Sequence, residues 1–121
     1  MRVALLGAGT IARLVLQNSR RSALPGIEIV ALAGRSSASR GAALGREFGV
    51  PFVVGREALL ATRPDAVLEA ASHEAVREHL VPMLEAGVGV VVLSAGALAD
   101  DALRSRAEQA AQRSGARLQV P

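Results

Sequence analysis

The fold of this chain is decided by the stretch Val3-Ala4-Leu5-Leu6-Gly7-Ala8-Gly9-Thr10-Ile11-Ala12, where an apolar run leads into a G-x-G-x-x-A pattern. Apolar residues at helical spacing follow, so the stretch predicts a strand, a tight turn and the start of a helix. Gly7 allows the sharp turn, Gly9 leaves the backbone open to a pyrophosphate, and Ala12 allows the helix to pack closely on the strand. The pattern is typical of a dinucleotide-binding βαβ unit, and the alternative is an ordinary glycine turn.

Composition excludes several kinds of chemistry. The 121 residues contain no cysteine, and all fourteen basic residues are arginine, which excludes disulfides, thiol catalysis and a lysine Schiff base. With His73 and His79 as the two histidines, we expect no metal site. The net charge is +3, the arginines are scattered and two residues are aromatic, so we expect no nucleic-acid surface.

We also expect no membrane partner, because no apolar run approaches the ~20 residues of a membrane span. The chain enters its first strand directly after Met1, so we expect no signal peptide. These features together predict a soluble cytoplasmic protein.

Strands and helices alternate along the chain. After the first strand, strands are predicted at 27–33, 52–54, 66–71, 88–93 and 117–120, and helices at 10–20, 38–48, 57–61, 73–86 and 100–113. Pro82 is expected to kink or split the fourth helix, and 94–97 are expected to form a loop. The alternation predicts an α/β fold, a Rossmann-type doubly wound parallel sheet with helices on both faces, as one NAD(P)-binding domain over residues 1–121.

Ligands of such sheets bind beyond the carboxyl ends of the strands, where the strand order reverses. The N–H groups at the first helix start, with the positive end of the helix dipole, are expected to face the phosphates. Four stretches should line that crevice, and the candidate cofactor contacts in them are Gly7, Ala8, Gly9, Thr10, Ile11, Gly34, Arg35, Ser36, Ala71, Ser72, Ser94, Ala95, Gly96 and Ala97.

The turn after the second strand bears on the choice of cofactor. An acid there would bind the ribose hydroxyls of NAD, but the chain reads Gly34-Arg35-Ser36, with no acid until Glu47. Arg35 could instead hold the 2′-phosphate of NADP, with help from Ser36 and Arg40. The alternative is a solvated arginine in a turn. NADP is therefore at least as strongly predicted as NAD.

Two further residues near the crevice have more than one interpretation. Glu69 is a carboxylate in an apolar strand, and we expect backbone N–H groups at a helix start to satisfy it. The alternative is that it points into the crevice and touches the cofactor or a neighbouring loop. His73 is the acid–base group nearest the predicted nicotinamide position, yet a solvent-exposed histidine at a helix start is the favoured interpretation.

Two segments carry a more specific signal than the glycine loop. One is Asp65–Val76, followed by Leu84–Gly87, and the other is Leu93–Asp100. They resemble the "E-A-A-S-x-E-A-V" and "S-x-G-A-L-A-D" segments of the L-aspartate dehydrogenase family. That resemblance implies a homodimeric oxidoreductase that converts L-aspartate to iminoaspartate with NAD or NADP, in some organisms for pyridine nucleotide biosynthesis.

The resemblance covers the front half of such an enzyme. It implies that Gly7, Gly9, Thr10 and Ile11 bind the pyrophosphate and that the nicotinamide side is formed by Ala71, Ser72 and the loop from Ser94 to Ala97. The family's catalytic histidine lies in a C-terminal α+β substrate domain, which we expect to be absent here, and His73 does not match it. The resemblance therefore implies no catalytic residue in this chain, which alone is expected to be inactive.

Two other hypotheses stay open. One is the cofactor domain of another two-domain amino-acid or sugar oxidoreductase. Many sugar oxidoreductases carry an E-K-P segment after the fifth strand, where this chain reads Ser94-Ala95-Gly96. The other is a stand-alone NAD(P)-sensing module, a class that commonly keeps an acid after the second strand.

Overall fold

The computed structural model describes residues 1–21, 25–36 and 40–121. Within these ranges six strands alternate with five α-helices and one 3₁₀ helix. In chain order they are β1 (Arg2–Leu6), α1 (Thr10–Arg20), β2 (Glu28–Gly34), α2 (Arg40–Phe48), β3 (Phe52–Val54), α3 (Arg56–Ala61), β4 (Ala66–Glu69), α4 (His73–Glu85), β5 (Gly89–Val92), the 3₁₀ helix (Ala95–Ala99), α5 (Asp101–Ser114) and β6 (Leu118–Gln119).

The strands form one parallel sheet in the order β3-β2-β1-β4-β5-β6. The order reverses beside β1, since β2 lies on one side of it and β4 on the other. Leu6 is in register with Ala33 of β2 and with Glu69 of β4, so the three strands end at the same edge. The predicted doubly wound sheet is confirmed, and its switch point lies where the glycine loop begins.

Helices cover both faces of the sheet because β1 is apolar on both. Val3 and Leu5 pack in a cluster with Leu16 of α1 and Leu44 of α2. Ala4 and Leu6 of the same strand belong to the larger opposite cluster, whose helical members come from α3, α4, the 3₁₀ helix and α5. None of the helices in the described ranges has the length and apolar character that a membrane crossing requires.

The fourth helix corrects one prediction, because Pro82 does not split it: α4 runs unbroken from His73 to Glu85. Proline has no N–H, so the carbonyl one turn earlier, that of Glu78, lacks its usual helical donor. Arg56 at the start of α3 supplies one, with its Nη1 3.0 Å from that carbonyl oxygen. A side chain from the neighbouring helix thus takes over the missing helical hydrogen bond.

The segment after β5 corrects a second prediction. Residues 94–97 were expected to form a loop, but Ala95–Ala99 form a 3₁₀ helix that leads into α5. Its side chains Ala97 and Leu98 are buried, so the segment packs against the core. Elsewhere the predicted ends shift by one or two residues, and the predicted helix start at Ala38 lies outside the described residues.

Candidate functional site

Gly7 forms the turn that brings the strand ends together. Its φ is +114°, a conformation that other residues rarely adopt, and a Cβ there would lie 2.6 Å from the carbonyl oxygen of Ala70. Its N–H donates to the carbonyl of Ala33 at 3.0 Å. Gly7 therefore lies between the ends of β2 and β4, and any side chain would push the switch point apart.

Gly9 has a different environment. It is the N-cap of α1, its backbone is extended, and a Cβ there would meet nothing within 4 Å. Gly9 offers no side chain to cap α1, whereas Ser72 caps α4 and Asp100 caps α5. The start of α1 is thus an uncapped helix end beside open space, which fits the phosphates of a dinucleotide.

A cleft of about 620 Å³ lies at this edge of the sheet, between the ends of β1, β2 and β4 and the helices α3 and α4. Seven of the predicted contacts line it, namely Gly7, Ala8, Gly9, Gly34, Arg35, Ala71 and Ser72. The other seven do not line this cleft. Thr10, Ile11 and Ser36 are exposed at its border, and Ser94–Ala97 lie beyond β5. The structure thus places the predicted contacts in two groups, on either side of β4.

Glu69 connects those two groups. The side chain is buried, and its Oε2 accepts hydrogen bonds from the N–H groups of Ala71 at 2.9 Å and Ser72 at 3.1 Å. Its Oε1 accepts from the N–H groups of Leu93 at 3.1 Å and Ser94 at 2.8 Å. The Ser94 hydroxyl also donates to Oε2 at 2.8 Å. The prediction that backbone N–H groups satisfy this carboxylate is confirmed, and the same carboxylate fixes both loops.

His73 lies at the first position of α4 and is exposed, as predicted. Its ring covers Gly96, because a Cβ on that glycine would lie 2.6 Å from the His73 Cε1. His73 is outside the cleft lining. The histidine therefore packs the loop after β4 against the 3₁₀ helix.

The far wall of the cleft contains polar residues that the sequence did not single out. Arg56, Glu74, Glu78 and His79 all line it. Arg56 Nη1 lies 3.1 Å from Nδ1 of His79, besides its bond to the Glu78 carbonyl. Burial lowers the pKa of His79, Arg56 lowers it further, and Glu78 partly opposes the shift. A neutral ring can accept from Arg56 at Nδ1, so the two side chains join α3 to α4.

These residues were missed because only the packing of α3 on α4 brings them together. His79 lies in the middle of a helix and Arg56 is far from it in sequence. The proline at position 82, four residues after Glu78, is the one local signal that a side-chain donor is needed nearby.

Comparison with known proteins agrees with the geometry. Residues 7–121 match the family described as "Homoserine dehydrogenase, NAD binding domain". The chain is 42% identical over 120 residues to L-aspartate dehydrogenase 2 of Bordetella bronchiseptica, a match that covers 99% of this chain and 44% of the relative. It is 39% identical over 122 residues to L-aspartate dehydrogenase 1 of Bordetella pertussis, covering 100% and 44% respectively.

The fold is shared with solved oxidoreductases. Biliverdin reductase from Synechocystis sp. PCC 6803, crystallised with biliverdin and NADP+, has a TM-score of 0.84 and 28% identity, over 98% of this chain and 37% of that one. The chain spans less than half of the length of the curated relatives named above. The resemblance drawn from the two motifs is confirmed. The chain belongs to the homoserine dehydrogenase NAD-binding domain family, as an NAD(P)-binding domain homologous to L-aspartate dehydrogenases.

Proposed function

We propose that these residues are the cofactor-binding half of a dehydrogenase that oxidises L-aspartate to iminoaspartate. The identity of 42% over 99% of the chain to an L-aspartate dehydrogenase supports this substrate. Substrate recognition and the catalytic base are assigned to a second domain, in the part of the relatives that the chain does not cover. Residues 1–121 alone would bind cofactor without turnover, and the whole enzyme would be a cytoplasmic homodimer.

The observation that carries the proposal is the cleft at the switch point, together with the uncapped start of α1 beside Gly9. The pyrophosphate is assigned to Gly7, Ala8, Gly9, Thr10 and Ile11. Those glycines let backbone N–H groups approach it, and the positive end of the α1 dipole stabilises its charge. The adenosine is assigned to Gly34, Arg35, Ser36 and the cleft wall.

The nicotinamide side is assigned to Ala71, Ser72 and the segment Ser94, Ala95, Gly96 and Ala97. When bound, the nicotinamide ring accepts the hydride that leaves the substrate. The chain's own residues orient that ring and exclude water. Glu69 holds both loops by hydrogen bonds, and His73 packs on Gly96.

The turn after β2 supports NADP as a cofactor. Arg35 is exposed and lines the cleft, as does Arg40 at the start of α2. A guanidinium pairs with a phosphate through two parallel hydrogen bonds, and β2 itself ends without a carboxylate. We assign Arg35, Ser36 and Arg40 to the 2′-phosphate of NADP.

The substrate is tested in the full-length protein that contains these residues. We expect reduction of NAD(P)+ with L-aspartate and not with L-homoserine, followed by absorbance at the nicotinamide band. Turnover of L-homoserine without turnover of L-aspartate would contradict the proposed substrate and leave the cofactor assignment intact.

A further inference from the structure

The cleft contains one ion pair that the sequence did not predict. Arg35 Nη2 lies 3.9 Å from Glu74 Oε2, and the two side chains come from the end of β2 and the first turn of α4. Their side chains are 89% and 76% exposed. An ion pair so exposed contributes little to the stability of a fold. Both groups are therefore free to turn toward a ligand in the cleft.

The pair matters because an acid is missing from its usual place. In dinucleotide-binding sheets a carboxylate near the end of the second strand binds the adenosine ribose hydroxyls of NAD, whereas an arginine accommodates the 2′-phosphate of NADP. Here the end of β2 reads Gly34-Arg35-Ser36. Among the cleft-lining residues of the described ranges, the carboxylates are Glu74 and Glu78.

Of these two carboxylates, only Glu74 faces the turn after β2. Glu78 lies one helical turn further along α4, with Oε2 3.6 Å from Nε2 of His79. Glu74 instead meets the Arg35 guanidinium. Arg56 also lines the cleft, but it is not free to pair with Glu74 or with a phosphate, because the Glu78 carbonyl and His79 hold its guanidinium.

We infer that Glu74 takes the place of the missing acid and that Glu74 and Arg35 together set the choice between NAD and NADP. This inference rests on the proposed cofactor site. Toward NAD, Glu74 accepts a hydrogen bond from the ribose 2′-hydroxyl. Toward NADP, Arg35 leaves Glu74 and pairs with the 2′-phosphate, which the Glu74 carboxylate repels. The chain consequently binds both dinucleotides, because Glu74 favours NAD and Arg35 favours NADP.

The test is a titration of the 121-residue chain with NADH and with NADPH, followed by cofactor fluorescence at fixed salt. Glu74→Gln should weaken NADH binding about tenfold, because a hydrogen bond to a charged acceptor is lost. Release of Arg35 and removal of the repulsion should tighten NADPH binding about threefold. Glu85→Gln, which removes an exposed carboxylate from the other end of the same helix, should change neither affinity.

The titrations separate the role of Glu74 from the existence of the cofactor site. If the chain binds both dinucleotides and Glu74→Gln leaves their affinity ratio unchanged, the inference is overturned and the cofactor site stands. An equal loss of both affinities with a lowered melting temperature would show a structural role for Glu74 and would also overturn it. If the unaltered chain binds neither dinucleotide, the proposed cofactor site fails.

Discussion

Glu69 is the residue on which both loops beside β4 depend. Its buried carboxylate accepts hydrogen bonds from four backbone N–H groups and from one hydroxyl group. We predict that Glu69→Gln destabilises the chain by about 3 kcal/mol, because the amide NH₂ would face N–H groups that need an acceptor. Urea denaturation measures the change.

The matched control is Glu85→Gln on the exposed end of α4, which should change the free energy of unfolding by less than about 0.5 kcal/mol. If the two variants were equally stable, the hydrogen bonds of Glu69 would not hold the loops as described.

His79 gives the chain a pH-dependent contribution to stability. Burial holds the pKa of His79 below its ordinary value of 6.5, so the folded protein binds fewer protons than the unfolded chain as the pH falls. The stabilisation is therefore complete above the unfolded pKa and is lost as the pH falls toward the folded pKa. We predict that His79→Gln flattens the fall in unfolding free energy between about pH 7 and pH 5.

Gln109→Ala serves as the control because it removes an exposed side chain that does not titrate. Denaturation curves at several pH values should show the original slope for Gln109→Ala and a shallower one for His79→Gln. The same slope for both variants would contradict the role given to His79.

At the scale of elements, the contact between α3 and α4 depends on the pairing of Arg56 with the carbonyl that Pro82 leaves without a donor. We predict that Arg56→Met, which keeps the apolar stem, costs about 2 kcal/mol of stability. In a Pro82→Ala background the helix regains its own N–H donor, so the same change should cost about 1 kcal/mol less. Arg77→Met, an exposed arginine on α4, is the control.

A double-mutant cycle measured by urea denaturation gives the coupling energy between Arg56 and Pro82. Additive costs in the two backgrounds would mean that Arg56 and Pro82 act independently and that the unbroken helix has another cause.

At the scale of the whole molecule, the features predicted from sequence are those with a local signal. The glycine loop and the apolar strands each occupy a few consecutive residues, so the parallel sheet and its switch point followed from them. Glu69 was also predictable, because a lone carboxylate in a buried strand needs donors and a helix start supplies them.

The remainder depends on contacts between distant segments. Arg35 pairs with Glu74, and Arg56 pairs with His79, only because the fold brings the end of β2 and the start of α3 beside α4. No residue spacing in the sequence predicts these pairs. The 3₁₀ helix at Ala95–Ala99 was also missed, and its buried residues Ala97 and Leu98 belong to the larger core cluster. The sequence therefore predicted the sheet edge where the cofactor is assigned, but not the polar wall opposite it.

Gly9→Ala shows whether the open space at Gly9 receives the dinucleotide pyrophosphate. An added Cβ meets nothing within 4 Å in the protein, and the extended backbone there suits alanine. We expect an unchanged melting temperature and a loss of NADPH binding of at least about tenfold. Gly7→Ala, by contrast, should lower stability, because its Cβ would meet a backbone carbonyl. Undiminished NADPH binding by a folded Gly9→Ala variant would mean that the pyrophosphate does not lie against Gly9.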